Sequence, residues 1–100
     1  MKYIITESQY NNIIDEFITS QFEPHEEKPY EWNPDVSVWS KNGKIIARND
    51  LSEYFWVIPN IWDLISLMFS LDYDETQEVI HKWLKKHHDI WRLTPERASS

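Results

Sequence analysis

One hundred residues carrying a net charge of −7, with 41% hydrophobic and 27% charged side chains, describe one folded domain rather than a disordered chain. The lack of cysteine excludes disulfides, thiolate metal sites and cysteine nucleophiles. The longest apolar run, "WVIPNIWDLISLMF", contains a proline and an aspartate and is too short to span a bilayer.

Chain order then supplies the elements. "KYII" at 2–5 is β-prone and runs into "TESQ", where Thr6 suits a helix cap with Gln9 completing the box, and Ile5 and Tyr10 suit a hydrophobic staple. Tyr10, Ile13, Ile14, Phe17 and Ile18 recur at helical spacing, which predicts an amphipathic helix. Residues 23–35, "EPHEEKPYEWNPD", hold three prolines and five acids and predict one long connection. Within it, Tyr30 and Trp32 either fold back over the core edge or serve as contacts.

"VSVWSKNGKIIAR" predicts a hairpin, because Asn42-Gly43 supplies both positive-φ residues of a type I′ turn. "EYFWVI" at 53–58 reads as a further strand stopped by Pro59, although "DLSE" at 50–53 offers a competing helix cap. Asn60 is placed to cap a helix at 61–71, whose polar residues Asp63, Ser66 and Ser70 form a narrow stripe. Such a helix calls for burial on most sides, part of it against another subunit or partner. A last helix starts near "DYDETQ" with Asp74 as cap and Gln77 completing the box, and it ends among lysines that suit its negative pole. Residues 94–100 are expected to fray.

The expected architecture is therefore α+β in the order β-α-β-β-β-α-α, an antiparallel sheet with a β-hairpin packed on helices. Residues 1–93 form the domain and 94–100 a flexible tail. With no secretion signal or membrane span, a cytoplasmic location without membrane partners is expected.

Candidate chemistry is sparse. Three of the four histidines cluster in "HKWLKKHHDIW", but helical geometry sends His87 inward beside Ile80, Trp83, Leu84 and Trp91. It also leaves His81 and His88 on a flank roughly 10 Å apart, too far to share a small metal ion. Glu78 and His81 form an E-x-x-H pair of the kind that carboxylate-bridged metal bundles use twice, and the chain has only one. "HEEKP" lacks the second histidine of a zinc-protease helix, and one glycine cannot build a phosphate loop. No cofactor is expected.

For nucleic acid, Lys41, Lys44 and Arg48 lie near the hairpin with Trp39 available to stack, and Lys82, Lys85, Lys86, Arg92 and Arg97 lie toward the C-terminus. The overall charge opposes that reading. Acidity concentrates in residues 1–35, with eight acids against two bases. Glu23, Glu26, Glu27, Glu31 and Asp35, with Glu7, Asp15 and Glu16 nearby, suit a basic protein groove. A solvated loop that aids solubility is the plainer use of the same charges.

"MKYIITESQ", "FSLDYDETQEVIHKWL" and "LTPER" together resemble small proteins encoded by tailed phages and marine viral genomes. The resemblance covers about half the chain and rests on structural motifs. It implies an accessory protein expressed in a bacterial cytoplasm, and no functional residue carries over. The expected function is a non-enzymatic protein-interaction module. Its contacts are Glu23, Glu26, Glu27, Tyr30, Glu31, Trp32 and Asp35, its partner is a basic host protein, and a second copy can join through 61–71. A nucleic-acid binder using the hairpin and last helix, and a metal-dependent enzyme using Glu78 and His81, are the rival expectations.

Overall fold

A computed structural model describes residues 7–50 and 53–99. The order is α1 (Glu7–Phe22), β1 (Glu26–Tyr30), β2 (Asn33–Lys41), β3 (Lys44–Asp50), β4 (Tyr54–Val57), α2 (Pro59–Phe69), α3 (Tyr73–His88) and β5 (Thr94–Arg97). The α+β class is as expected. The expected strand at 2–5, its Thr6 cap and two of the four residues of the competing "DLSE" cap lie outside the described residues.

The strands form one sheet in chain order, β1-β2-β3-β4-β5, with the first three pairings antiparallel and β4–β5 parallel. The sheet is thus mixed rather than antiparallel. Between β4 and β5 the chain makes α2 and α3, which is the crossover length a parallel pair needs. The β2–β3 turn is as predicted, with Asn42 at φ 54° and Gly43 at φ 78°.

Two expectations are corrected at the sheet edges. Residues 26–30 are a strand and not part of a long connection. As an edge strand, β1 tolerates charge on both faces, and its free side asks no N–H of Pro29. Residues 94–97 are likewise β5 rather than a frayed tail. Pro95 is buried, and the Ala98 N–H donates to the Val57 carbonyl at 2.8 Å.

Helix ends also differ from the sequence reading. Ile58 occupies the N-cap position of α2 without a side-chain bond, and Pro59 starts the helix, so Asn60 sits inside its first turn. At α3 the capping box is Asp72 with Glu75, where the Glu75 N–H donates to Asp72 Oδ1 at 2.8 Å and the Asp72 N–H to Glu75 Oε1 at 3.1 Å. Starting there, α3 reaches only His88 before Asp89 turns left-handed, so Trp91 leaves the helical stripe and stands 59% exposed.

The helices cover one face of the sheet. Phe22 of α1 and Trp83 of α3 stack at 5.0 Å between ring centroids, and both meet Trp39 of β2 edge-on. Phe55 of β4 closes the group against Trp39 at 4.9 Å. The Trp83 Nε1–H is satisfied by Thr19 Oγ1 at 2.9 Å, joining α3 to α1. Between α2 and α3, the fully buried Thr76 hydroxyl meets Ser66 Oγ at 2.7 Å, so one polar residue of the predicted α2 stripe faces inward. Only one side of α2 is buried, through Ile61, Trp62 and Ile65.

A polar clasp holds β5. Arg97 donates through Nε and a terminal nitrogen to the two oxygens of Asp63 at 2.9 and 3.0 Å, the Tyr73 hydroxyl donates to Glu96, and Gln77 Nε2 donates to the Pro95 carbonyl at 2.8 Å. The hydrogen bond from Arg97 holds the Asp63 carboxyl below its ordinary range, and the same bond raises the guanidinium. Burial, then the Glu96 contact, pushes the Tyr73 phenol up.

Truncation after Leu93 removes a buried strand and is expected to lower stability by about 2–4 kcal/mol or to prevent folding. Truncation after Ser99 is expected to leave it unchanged, and urea unfolding distinguishes the two. Because folding lowers the Asp63 pKa, the Arg97 pair stabilises above about pH 4 and that support is lost as pH falls through the lowered folded value. Asp63→Asn should therefore lower the melting temperature by a few degrees near neutral pH, and the difference should close in strong acid.

Candidate functional site

The open face of the sheet and the β1–β2 hairpin form the most distinctive surface. Cross-strand pairing sets Lys28, Val38, Arg48 and Trp56 in one row on the face away from the helices, while Trp39, Ala47 and Val57 form the neighbouring buried row. A bulge at Trp39/Ser40 places Ile46 and Ala47 both inside and leaves Ile45 outside, 54% exposed. Tyr30, Trp32, Val38 and Ile45 then line a groove of about 480 Å³ on the open face.

Residues 31–35 extend past the last β2–β3 pair, Val36 with Asp50. Glu31 and Trp32 make the turn, and the Asp35 N–H donates to Asn33 Oδ1 at 3.0 Å, which orders the start of β2. Trp32 is 82% exposed and Tyr30 39%, so neither covers the core edge. An indole this exposed makes no contribution to the core and is available as an anchor.

The acidic residues expected to act together divide into two groups. Glu23 turns inward, its Oε1 2.8 Å from His88 Nε2 and its Oε2 3.1 Å from His25 Nδ1. His25 stacks on Trp39 at 3.9 Å between centroids and 12° between planes. Its Nδ1 also faces the Phe22 carbonyl at 3.0 Å, and two acceptors there require the proton on that nitrogen. Glu23 thus ties the end of α1 to the end of α3. On the hairpin itself, Glu27 accepts from Ser37 Oγ at 3.0 Å and Glu26 makes only a loose pair with Lys28 at 3.8 Å, both partners 76% exposed. With Glu31 and Asp35, residues 26–35 hold four carboxylates and one lysine.

The histidine geometry departs from the sequence reading at His88. His88, expected on the flank, packs at 4.9 Å from Trp39 and 5.0 Å from Trp83. His87, expected to pack along the Trp83 stripe, does lie 5.4 Å from the Trp83 ring, with its Nε2 reaching Asp15 at 2.9 Å. The difference comes from tertiary partners: Glu23, His25 and Trp39 meet His88, while Asp15 of α1 takes His87. Nothing in the sequence joins His25 to His88; their meeting depends on β1 forming where a connection was read.

The rival sites are dispersed. Glu78 pairs with Lys82 at 3.2 Å while His81 Nε2 lies 3.0 Å from the Trp91 carbonyl, and no group of three or more metal-ligating side chains occurs among the described residues. Of the basic residues, Lys41 donates to the Ser20 carbonyl, Lys86 pairs with Asp15, Arg97 with Asp63, and Arg92 lies over the Trp91 ring. Trp39, offered as a stacking residue, is 1% exposed and buried in the core. No helix among the described residues is long and apolar enough to cross a membrane.

The chain matches no family model, no curated protein and no solved structure.

Glu23→Ala removes the carboxylate at His88 Nε2 and one of the two acceptors at His25 Nδ1, and is expected to cost about 1–3 kcal/mol. Glu26→Ala, on an exposed side chain, is expected to stay within about 0.5 kcal/mol. Equal losses in chemical denaturation would overturn this division of the acids.

Proposed function

We propose that this chain is a non-enzymatic protein-interaction module that engages a basic protein surface through its β1–β2 hairpin. The observation that carries the reading is Trp32, 82% exposed at the turn beside the Tyr30–Val38–Ile45 groove, whose lining also holds Glu26, Lys28 and Glu31. Apolar anchors ringed by polar groups are where protein interfaces concentrate their energy, and carboxylates of one sign select a partner and speed its approach. Glu23 takes no part in this surface, because its charge serves the two histidines. The resemblance to phage accessory proteins makes a host protein of the bacterial cytoplasm the natural partner.

The test is affinity capture from bacterial lysate with the wild-type chain, Trp32→Ala, and the triple reversal of Glu26, Glu27 and Glu31 to lysine. Basic proteins retained by the wild type, lost from both variants and released by moderate salt support the proposal. Loss of Trp32 should weaken binding about 30-fold or more, as for an interface anchor. Retention of the same proteins by both variants would exclude the hairpin as the contact.

A further inference from the structure

The exposed side of α2 is the second unusual surface, and nothing in the hairpin reading uses it. At about 100° per residue, Leu64, Leu67 and Met68 form a ridge on the flank of α2, roughly 110° round from the buried Ile61, Trp62 and Ile65. They are 40%, 79% and 55% exposed. Tyr10 of α1 continues the patch, its ring 6.1 Å from that of Phe69, and Ile13, 45% exposed, follows three residues along the same helix.

We infer that this ridge is a self-association face, on which α2 of one molecule meets α2 of a second copy. Two observations select a second copy over a charged partner. First, α2 contains a single ionisable residue, Asp63, and its charge is already matched by the bidentate bond from Arg97. Two copies of a chain at −7 repel one another, and a neutral face is where that repulsion is least. A partner chosen by charge finds nothing to recognise there. Second, the patch has the size for a modest symmetric contact. The five side chains leave on the order of 500 Å² of surface in water, at the upper end of patches found on monomers. Doubled by a two-fold axis, they reach about 1,000 Å², the lower bound for a specific interface.

A ridge spaced i, i+3, i+4 is also the shape that enters the groove of an identical helix. The resulting dimer carries two hairpins, so a clustered or repeated partner gains avidity from it.

Sedimentation velocity from about 1 to 500 µM tests the inference on the full chain. The expected result is a mass rising from 12.2 kDa toward twice that value, with half-association in the tens of micromolar. Leu67→Glu should weaken association at least tenfold while circular dichroism and the melting temperature stay close to wild type, since Leu67 is largely solvent-exposed. Added salt should leave association unchanged or strengthen it, whereas a contact through the acidic hairpin would show a different face. Trp32→Ala, which disables the hairpin reading, should not alter the mass. A wild-type mass fixed at the monomer value overturns the inference. So does association that Leu67→Glu leaves intact, and so does a monomer that instead floats with neutral phosphatidylcholine vesicles through this ridge.

Discussion

The fold depends on one aromatic knot. Phe22, Trp39, Phe55 and Trp83 come from α1, β2, β4 and α3, and each ring touches at least two of the others. Rings of this size supply much of the apolar area that a small domain has available. They also fix angles, because edge-to-face contacts hold sheet and helices in one relation. His25 and His88 extend the knot to its rim, and Glu23 joins them through two oxygens. The cost is local: the Trp39 Nε1–H is buried without a partner, a loss the surrounding stacking offsets.

With the core face so occupied, the rest of the chemistry moves outward. The knot consumes four aromatics that a surface might have used and leaves Trp32 and Trp91 exposed. The same division separates the acids, one drawn into the histidine pair and four left around the hairpin. What remains on the surface is charge at the hairpin and apolar area along α2. The two exposed surfaces differ in kind. One is aromatic and acidic, the other apolar and neutral, so they need not compete for the same occupant.

Much of the fold was legible wherever local chemistry decides. Asn42-Gly43 specified its turn because only two residues need positive φ, and neither depends on distant contacts. The helical spacing of Ile14 and Ile18 specified α1, and the β-branched and aromatic run at 54–57 specified β4. Legibility ended where tertiary context decides. "EEKPY" has no apolar alternation, and it is a strand because β2 offers it an edge. "TPER" becomes β5 through Pro95 burial and the Asp63–Arg97 clasp, neither visible along the chain. The surroundings of His87 and His88 are set by Asp15 on one side and by Glu23 and His25 on the other, none of them near in the chain. At the candidate site, Trp32 and the acids were visible as composition, whereas Ile45 joins the groove only because of a bulge.

Strand order along the sheet follows chain order, and that has a consequence during synthesis. Once residue 57 has left the ribosome, β1 to β4 can pair, and α1 can lay Phe22 on them. Trp83 is still to come, and β5 can join only after the whole crossover has been made. For that interval the nascent meander carries a half-covered aromatic face and, at β4, an open edge. The opposite edge is the charged, proline-bearing β1, which is poorly suited to pairing with a neighbouring chain. The acids of that strand thus discourage edge pairing while the sheet is still incomplete.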